Sequence, residues 1–144
     1  MGLIDVVVGI ALLLIVFGAL FGLLRVSVSL ATLAKSKATA LEIANTQMEQ
    51  LRALSYGALG TAGGSPSGAI PAHRVVTENQ GTYTIDTTIS YYDNPADGVG
   101  PGDSNGIPND YKIGSVRVTY LANGQPSTVE LVSNFAPLGI ETAP

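Results

Sequence analysis

The stretch from Asp5 to Arg25 decides the fold: Asp5-VVVGIALLLIVFGALFGLL-Arg25. The nineteen residues from Val6 to Leu24 are all Val, Ile, Leu, Phe, Ala or Gly, with no charged or polar side chain among them. At ~1.5 Å rise per residue, a helix of that length spans the ~30 Å hydrocarbon core of a bilayer. One acid stands at its front edge and one base closes it. Met1 to Ile4 bring no basic residue and no clear small-residue cleavage site follows, so the run reads as a retained segment, not a cleaved signal peptide. Gly9, Gly18 and Gly22 lie inside it. Gly18-x-x-x-Gly22 has the small-xxx-small spacing that lets membrane helices approach closely, and the same glycines offer places to bend.

From Val26 the pattern turns periodic. Leu30, Leu33, Leu41, Ala44, Met48 and Leu51 fall on one stripe, widened by Ile43 and Leu54. The other faces carry Lys35, Glu42, Asn45, Glu49 and Arg52, so residues 26–57 read as an amphipathic continuation of the apolar helix of residues 1–25, stopped by Gly57 and Gly60. A rod from Leu3 to Tyr56 would be ~80 Å long, too long for so short a chain to bury; its first half belongs in lipid or among other copies.

Residues 58–72 form a Gly/Ser/Pro loop, and residues 73–144 read as an antiparallel β domain. The spacing predicts strands at His73–Glu78 and Thr82–Tyr92, joined by Asn79-Gln80-Gly81 with positive φ at the glycine. It predicts two more at Tyr111–Leu121 and Pro126–Phe135, joined by Asn123-Gly124. In the second strand Tyr83, Ile85, Thr87, Ile89 and Tyr91 share a face. The fold class is therefore α+β: one long helix whose apolar half protrudes and whose amphipathic half covers a four-stranded antiparallel sheet.

Composition narrows the chemistry. Of the net charge of −4, the half up to Tyr56 carries +1 and the rest −5, so nucleic acid is not an indicated partner, which would need clustered Lys and Arg. There are no cysteines, which removes disulfides, thiolate catalysis and Cys-type metal sites. His73 beside Arg74 has no acid or nucleophile placed near it by a recognisable motif, and no phosphate-cradling glycine loop occurs. No active site is read, and the chain is not expected to be an enzyme.

Two places remain. The loop from Asp93 to Asp110 (DNPADGVGPGDSNGIPND) holds Asp93, Asp97, Asp103, Asn105 and Asp110, oxygen ligands at short irregular spacing that suit calcium. A solvated turn-rich connection is the alternative, since Asp, Asn, Gly and Pro populate such turns anyway. No other cofactor is called for. Asp5 is the second place. An ionised carboxylate in an apolar environment costs several kcal/mol unless paired. The nearest cation in sequence is Arg25, about 30 Å away along a helix, so the candidate partner is an α-amino group at Met1, its own or another copy's. The other reading leaves Asp5 in the headgroup region.

Met1-Gly2-Leu3-Ile4-Asp5-Val6-Val7-Val8 resembles the start of a processed subunit of the type IV pilin and pseudopilin superfamily: an aromatic residue, Thr, Leu, Ile, Glu, then an apolar helix. The run Ile43-Ala44-Asn45-Thr46-Gln47-Met48-Glu49-Gln50-Leu51-Arg52-Ala53-Leu54-Ser55-Tyr56 is similar to the matching helix of many such proteins, and the resemblance extends to the ladle-like order of helix, loop and four-stranded sheet. It implies that Met1 is a mature N-terminus left by a prepilin peptidase, its amine a candidate for methylation, and that Asp5 pairs with the N-terminal amine of a neighbouring subunit. Asp stands here for the usual Glu and Met for the usual Phe; the proline that commonly bends the helix and the usual C-terminal Cys pair are absent.

The resemblance implies a structural subunit, the major pilin of a bacterial type IV pilus, polymerising through its N-terminal helix into a surface filament for adhesion, motility or DNA uptake. Its partners would be other copies of itself, inner-membrane lipid before assembly, prepilin peptidase with the assembly machinery, and a host-cell or surface ligand. The location would be the inner membrane before assembly and the extracellular filament after it. The alternatives are a minor pilin or secretion-type pseudopilin that primes a fibre, and a membrane-anchored module that binds calcium or another ligand.

Overall fold

The computed structural model describes residues 2–79, 81–96, 98 and 109–137. It is α+β: one long helix, α1 (Leu3–Arg52), and a four-stranded antiparallel sheet built from β1 (His73–Glu78), β2 (Gly81–Tyr92), β3 (Tyr111–Ala122) and β4 (Gln125–Phe135), in the order β1-β2-β3-β4. This is the class that the pilin resemblance implies. The chain divides into two compact units, Met1–Lys35 and Ser36–Pro144.

In the first unit α1 is helical without interruption through Gly9, Gly18 and Gly22. A Cβ added at any of these glycines would meet nothing within 4 Å, so within one chain they pack against no other segment. Its large apolar side chains are exposed on every face; Leu14, Ile15 and Phe21 are 66%, 69% and 69% exposed. A helix apolar all round needs an apolar surrounding. By length and composition this one can cross a membrane, a property that signal sequences share.

The second unit holds the core. Ala40, Ile43, Ala44, Met48 and Leu51 of α1 are buried with Tyr83, Ile85 and Ile89 of β2, Val116, Val118 and Tyr120 of β3, and Val129 of β4. The alternation expected of β2 is present: Tyr83, Ile85, Thr87 and Ile89 are buried, while Tyr91 at the strand's end is half-exposed. Val116 and Val118 stand opposite Leu131 and Val129 as the pairing requires.

Several expectations are corrected. The buried face of α1 runs through Thr39, Ala40, Ile43, Ala44, Gln47, Met48 and Leu51, and Leu41 lies beside it, 36% exposed. Ala44, Met48 and Leu51 of the expected stripe are buried, with Ile43 beside them, whereas Leu30 is 59% exposed and Thr39, Ala40 and Gln47 are buried instead. Helix α1 ends at Arg52, not at residue 57; Gly57 lies inside a short 3-10 turn, Tyr56–Ala58. Gly60 is required for another reason: a Cβ there would collide with the backbone of Ser67 and Gly68, where the 60–70 loop folds back on itself. That loop is closed by backbone bonds from Thr61 N–H to Pro66 O, Ala62 N–H to Ile70 O and Gly68 N–H to Thr61 O.

The first hairpin is also tighter than expected. Glu78 pairs with Gly81, and the positive φ falls on Asn79 (49°). Gly81 instead makes room for the Tyr83 ring. The second hairpin turns on Asn123 and Gly124, both with positive φ (51° and 77°), as the Asn-Gly pair predicts.

Candidate functional site

Asp5 sits in the first turn of α1 and closes it locally. Its Oδ2 accepts a hydrogen bond from the Gly2 N–H at 3.2 Å, while its own N–H donates to the Gly2 carbonyl at 3.0 Å. This is the back-reaching half of a capping box, and a carboxylate at a helix N-terminus is also favoured by the helix dipole. Within one chain Asp5 therefore has a capping role. Met1, the expected source of a partner amine, lies outside the described residues.

The acidic loop is described only at its ends. Asn94 N–H donates to Asp110 Oδ2 at 2.6 Å, and Ala96 N–H donates to Asn94 Oδ1 at 3.2 Å, so the base of the loop is fastened by an Asx turn and a cross-loop bond. Asp97, Asp103 and Asn105 lie outside the described residues. Among the described residues no group of three His, Cys, Asp or Glu side chains gathers as a metal site.

The sheet places together residues that sequence reading left apart. On the face opposite α1, register sets His73 against Asp86, Asp86 against Arg117, and Arg117 against Glu130. His73 Nδ1 lies 2.7 Å from Asp86 Oδ1, Arg117 Nη2 donates to Glu130 Oε2 at 3.2 Å, and Ser115 Oγ donates to Glu130 Oε1 at 2.6 Å. The Ser115 hydrogen bond, then the Arg117 bond and charge, hold the Glu130 carboxyl below the usual glutamate range. His73 thus does have an acid beside it, contrary to the sequence reading. Counting back from the Glu78–Gly81 pair puts 73 opposite 86. Chemically the row is a cross-strand ion-pair ladder. The Ser115 hydroxyl donates to a carboxylate already held by Arg117, which does not prepare it as a nucleophile.

Lys112 is the other group that sequence reading missed. It lies at the start of β3 on the helix-facing side and is only 3% exposed. Its ammonium donates to the carbonyls of Tyr56 (2.7 Å) and Leu59 (2.8 Å) and stands 4.6 Å and 5.3 Å from the ring centroids of Tyr56 and Tyr91. Burial lowers its pKa from the ordinary lysine value. The charge is met by carbonyl dipoles and aromatic faces, so it ties the segment after α1 to the sheet. Its alternation with Gly114 and Val116 marked an inward position; the carbonyls that satisfy it come from a turn more than fifty residues earlier, which no local pattern announces.

Comparisons of the chain with protein-family models, with curated proteins and with solved structures find no match.

Proposed function

We propose that this chain is a structural subunit of a helical surface filament of the type IV pilin kind, held in the inner membrane by its apolar helix before assembly. The observation that carries the reading is the stretch of α1 from Val6 to Leu24, apolar on every face and exposed throughout, with one acid in the first turn of the helix. Such a surface is satisfied only by lipid or by other helices of its kind. A single carboxylate at the end of an otherwise featureless apolar rod discriminates between registers, because leaving it unpaired away from water costs several kcal/mol. The α+β class and the order of elements agree with the reading. Copies would bury their apolar segments against one another, and Asp5 would meet a neighbour's N-terminal amine.

The test separates this role from capping. Asp5→Asn keeps an oxygen for the Gly2 N–H but removes the charge, so the helix start survives while the proposed pair does not. Electron microscopy of sheared surface material, with mass spectrometry of the fibres, is expected to show abundant filaments of this chain for the wild type and none for Asp5→Asn, with the variant retained in the membrane fraction. Normal filaments from Asp5→Asn would refute the pairing. A wild-type chain found only in traces within fibres of another protein would favour the minor-pilin alternative, and one found only in membranes the anchored-module alternative.

A further inference from the structure

A groove of about 250 Å³ runs between α1 and the edge strand β1, within the second unit. Its floor is Ile43 and Val76, and Glu42, Glu78, Arg74 and Gln47 line the rest. Glu42 and Glu78 make no ion pair among the described residues, and with Arg74 beside them the groove keeps a net charge of −1. Gln47 is only 5% exposed and lines the groove, and its amide is not one of the polar groups sealed from solvent without a partner, so it is open to the groove. Its carbonyl oxygen can accept a hydrogen bond from a donor that enters there.

The complementary group is an alkyl stem ending in a cation. The stem would lie on Ile43 and Val76, and the ammonium would donate to Glu42, Glu78 and the Gln47 carbonyl oxygen. Lysine has this shape, with three donors and a stem that lies along apolar surface. The chain carries a candidate on the other side of the same helix. Lys37 is exposed and has no hydrogen bond or ion pair among the described residues. It lies five residues before Glu42, which at 100° per residue places it about 140° away from Glu42 around the helix. The two side chains of one chain therefore cannot meet, whereas opposite faces of parallel copies can.

We propose that the groove at Glu42, Gln47 and Glu78 of one copy receives Lys37 of the next, with parallel copies of α1 offset by about five residues, or ~7.5 Å. This inference rests on the filament reading and names a subunit contact within it. The contact joins two different faces of one chain, so it does not close on itself, and repeated contacts of that kind build an open helical polymer.

The absence of cysteine from the sequence makes the test clean. The full chain carrying both Lys37→Cys and Glu42→Cys has Cα positions about 8.7 Å apart within one helix, beyond the ~7 Å that a disulfide tolerates, so any crosslink joins two copies. Oxidised filaments of that variant should give a reducible ladder of dimers, trimers and higher species, while either single variant gives none. Charge reversal supplies the second measurement. Lys37→Glu should lower pelletable polymer about tenfold, and adding Glu42→Lys should restore it. Normal polymer without a ladder, or a Lys37→Glu chain that polymerises like the wild type, overturns the contact while the filament reading stands. A wild-type chain that forms no polymer overturns the filament reading and this contact with it.

Discussion

Replacing Lys112 by Met tests how the chain holds the segment between α1 and β1. Met keeps the length and an apolar stem against Tyr56 and Tyr91, so the change removes the ammonium without opening a large cavity. The Leu59 carbonyl loses the donor at 2.8 Å, and Tyr56 O keeps only a long bond from the Leu59 N–H at 3.4 Å. A carbonyl left without its donor costs about 1–3 kcal/mol, and loss of the cation–aromatic contacts adds up to about 1–2 kcal/mol. Relief of the buried ammonium's desolvation offsets part of this, leaving a net loss of about 2 kcal/mol.

The loss should be local, because the ammonium ties one segment to the sheet and leaves the strand pairing alone. Hydrogen exchange is the assay. Amides closing the 59–70 region (Leu59, Thr61, Ala62, Gly68 and Ile70) should exchange about 30-fold faster in Lys112→Met, while amides between β2 and β3 keep their protection. Unchanged exchange in 59–70, or equal acceleration throughout the sheet, would refute the reasoning. Linkage gives a second check. Burial lowers the folded-state pKa of Lys112, so between that value and the ordinary lysine value the unfolded chain binds the extra proton. Wild-type stability relative to Lys112→Met must therefore rise as pH climbs through that window.

Glu130 titrates with the opposite consequence. Its folded-state pKa is depressed, so its contribution is complete above the ordinary glutamate range and is lost as pH falls through the lowered value. Denaturation midpoints measured from neutral to acid pH should fall less steeply for Glu130→Gln than for the wild type. The glycines after α1 should behave unequally. Gly60→Ala places a methyl against the Ser67 and Gly68 backbone and should disrupt the 60–70 loop, whereas Gly57→Ala meets nothing within 4 Å and should leave thermal unfolding unchanged.

The parts of this fold that were legible in the sequence are those written in short-range periodicity. The strands at residues 73–78 and 111–135 follow from alternation and an Asn-Gly turn, and all four strand positions were found to within a residue or two. The buried face of α1 was read in part: Ile43, Ala44, Met48 and Leu51 were placed correctly, but Leu30 and Leu41 were included for their hydrophobicity and Thr39, Ala40 and Gln47 were passed over. Thr39, Ala40 and Gln47 are buried because the sheet covers the side of α1 on which they lie, a property of the partner surface and not of the helix. The end of α1 was placed late because Gly57 and Gly60 look like stop signals, when Gly60 answers to Ser67 across a loop. The Lys112 contacts were invisible for the same reason. The outer pairs of the row, His73 with Asp86 and Arg117 with Glu130, were in principle readable because a tight turn fixes each, whereas Asp86 against Arg117 spans the long connection from Tyr92 to Tyr111 and was not.

The two proposed subunit contacts differ in the work they can do. A bilayer already surrounds the apolar residues of α1 with hydrocarbon, so transfer into a bundle of like helices gains packing and little hydrophobic free energy. Packing among Val, Leu and Ile also distinguishes poorly between one axial offset and the next. The polar groups must therefore select the offset. Asp5 would act in an environment without water, where an unmet charge costs several kcal/mol, and so it sets an all-or-none condition. Lys37 would act at a groove open to solvent, where an ion pair contributes about 0–1 kcal/mol and salt screens it. Raising ionic strength should thus loosen wild-type filaments toward the behaviour of Lys37→Met, which should itself respond little to salt, while the requirement for Asp5 persists at every salt concentration. Filaments of Lys37→Met that are as salt-sensitive as the wild type would place the screened contact elsewhere.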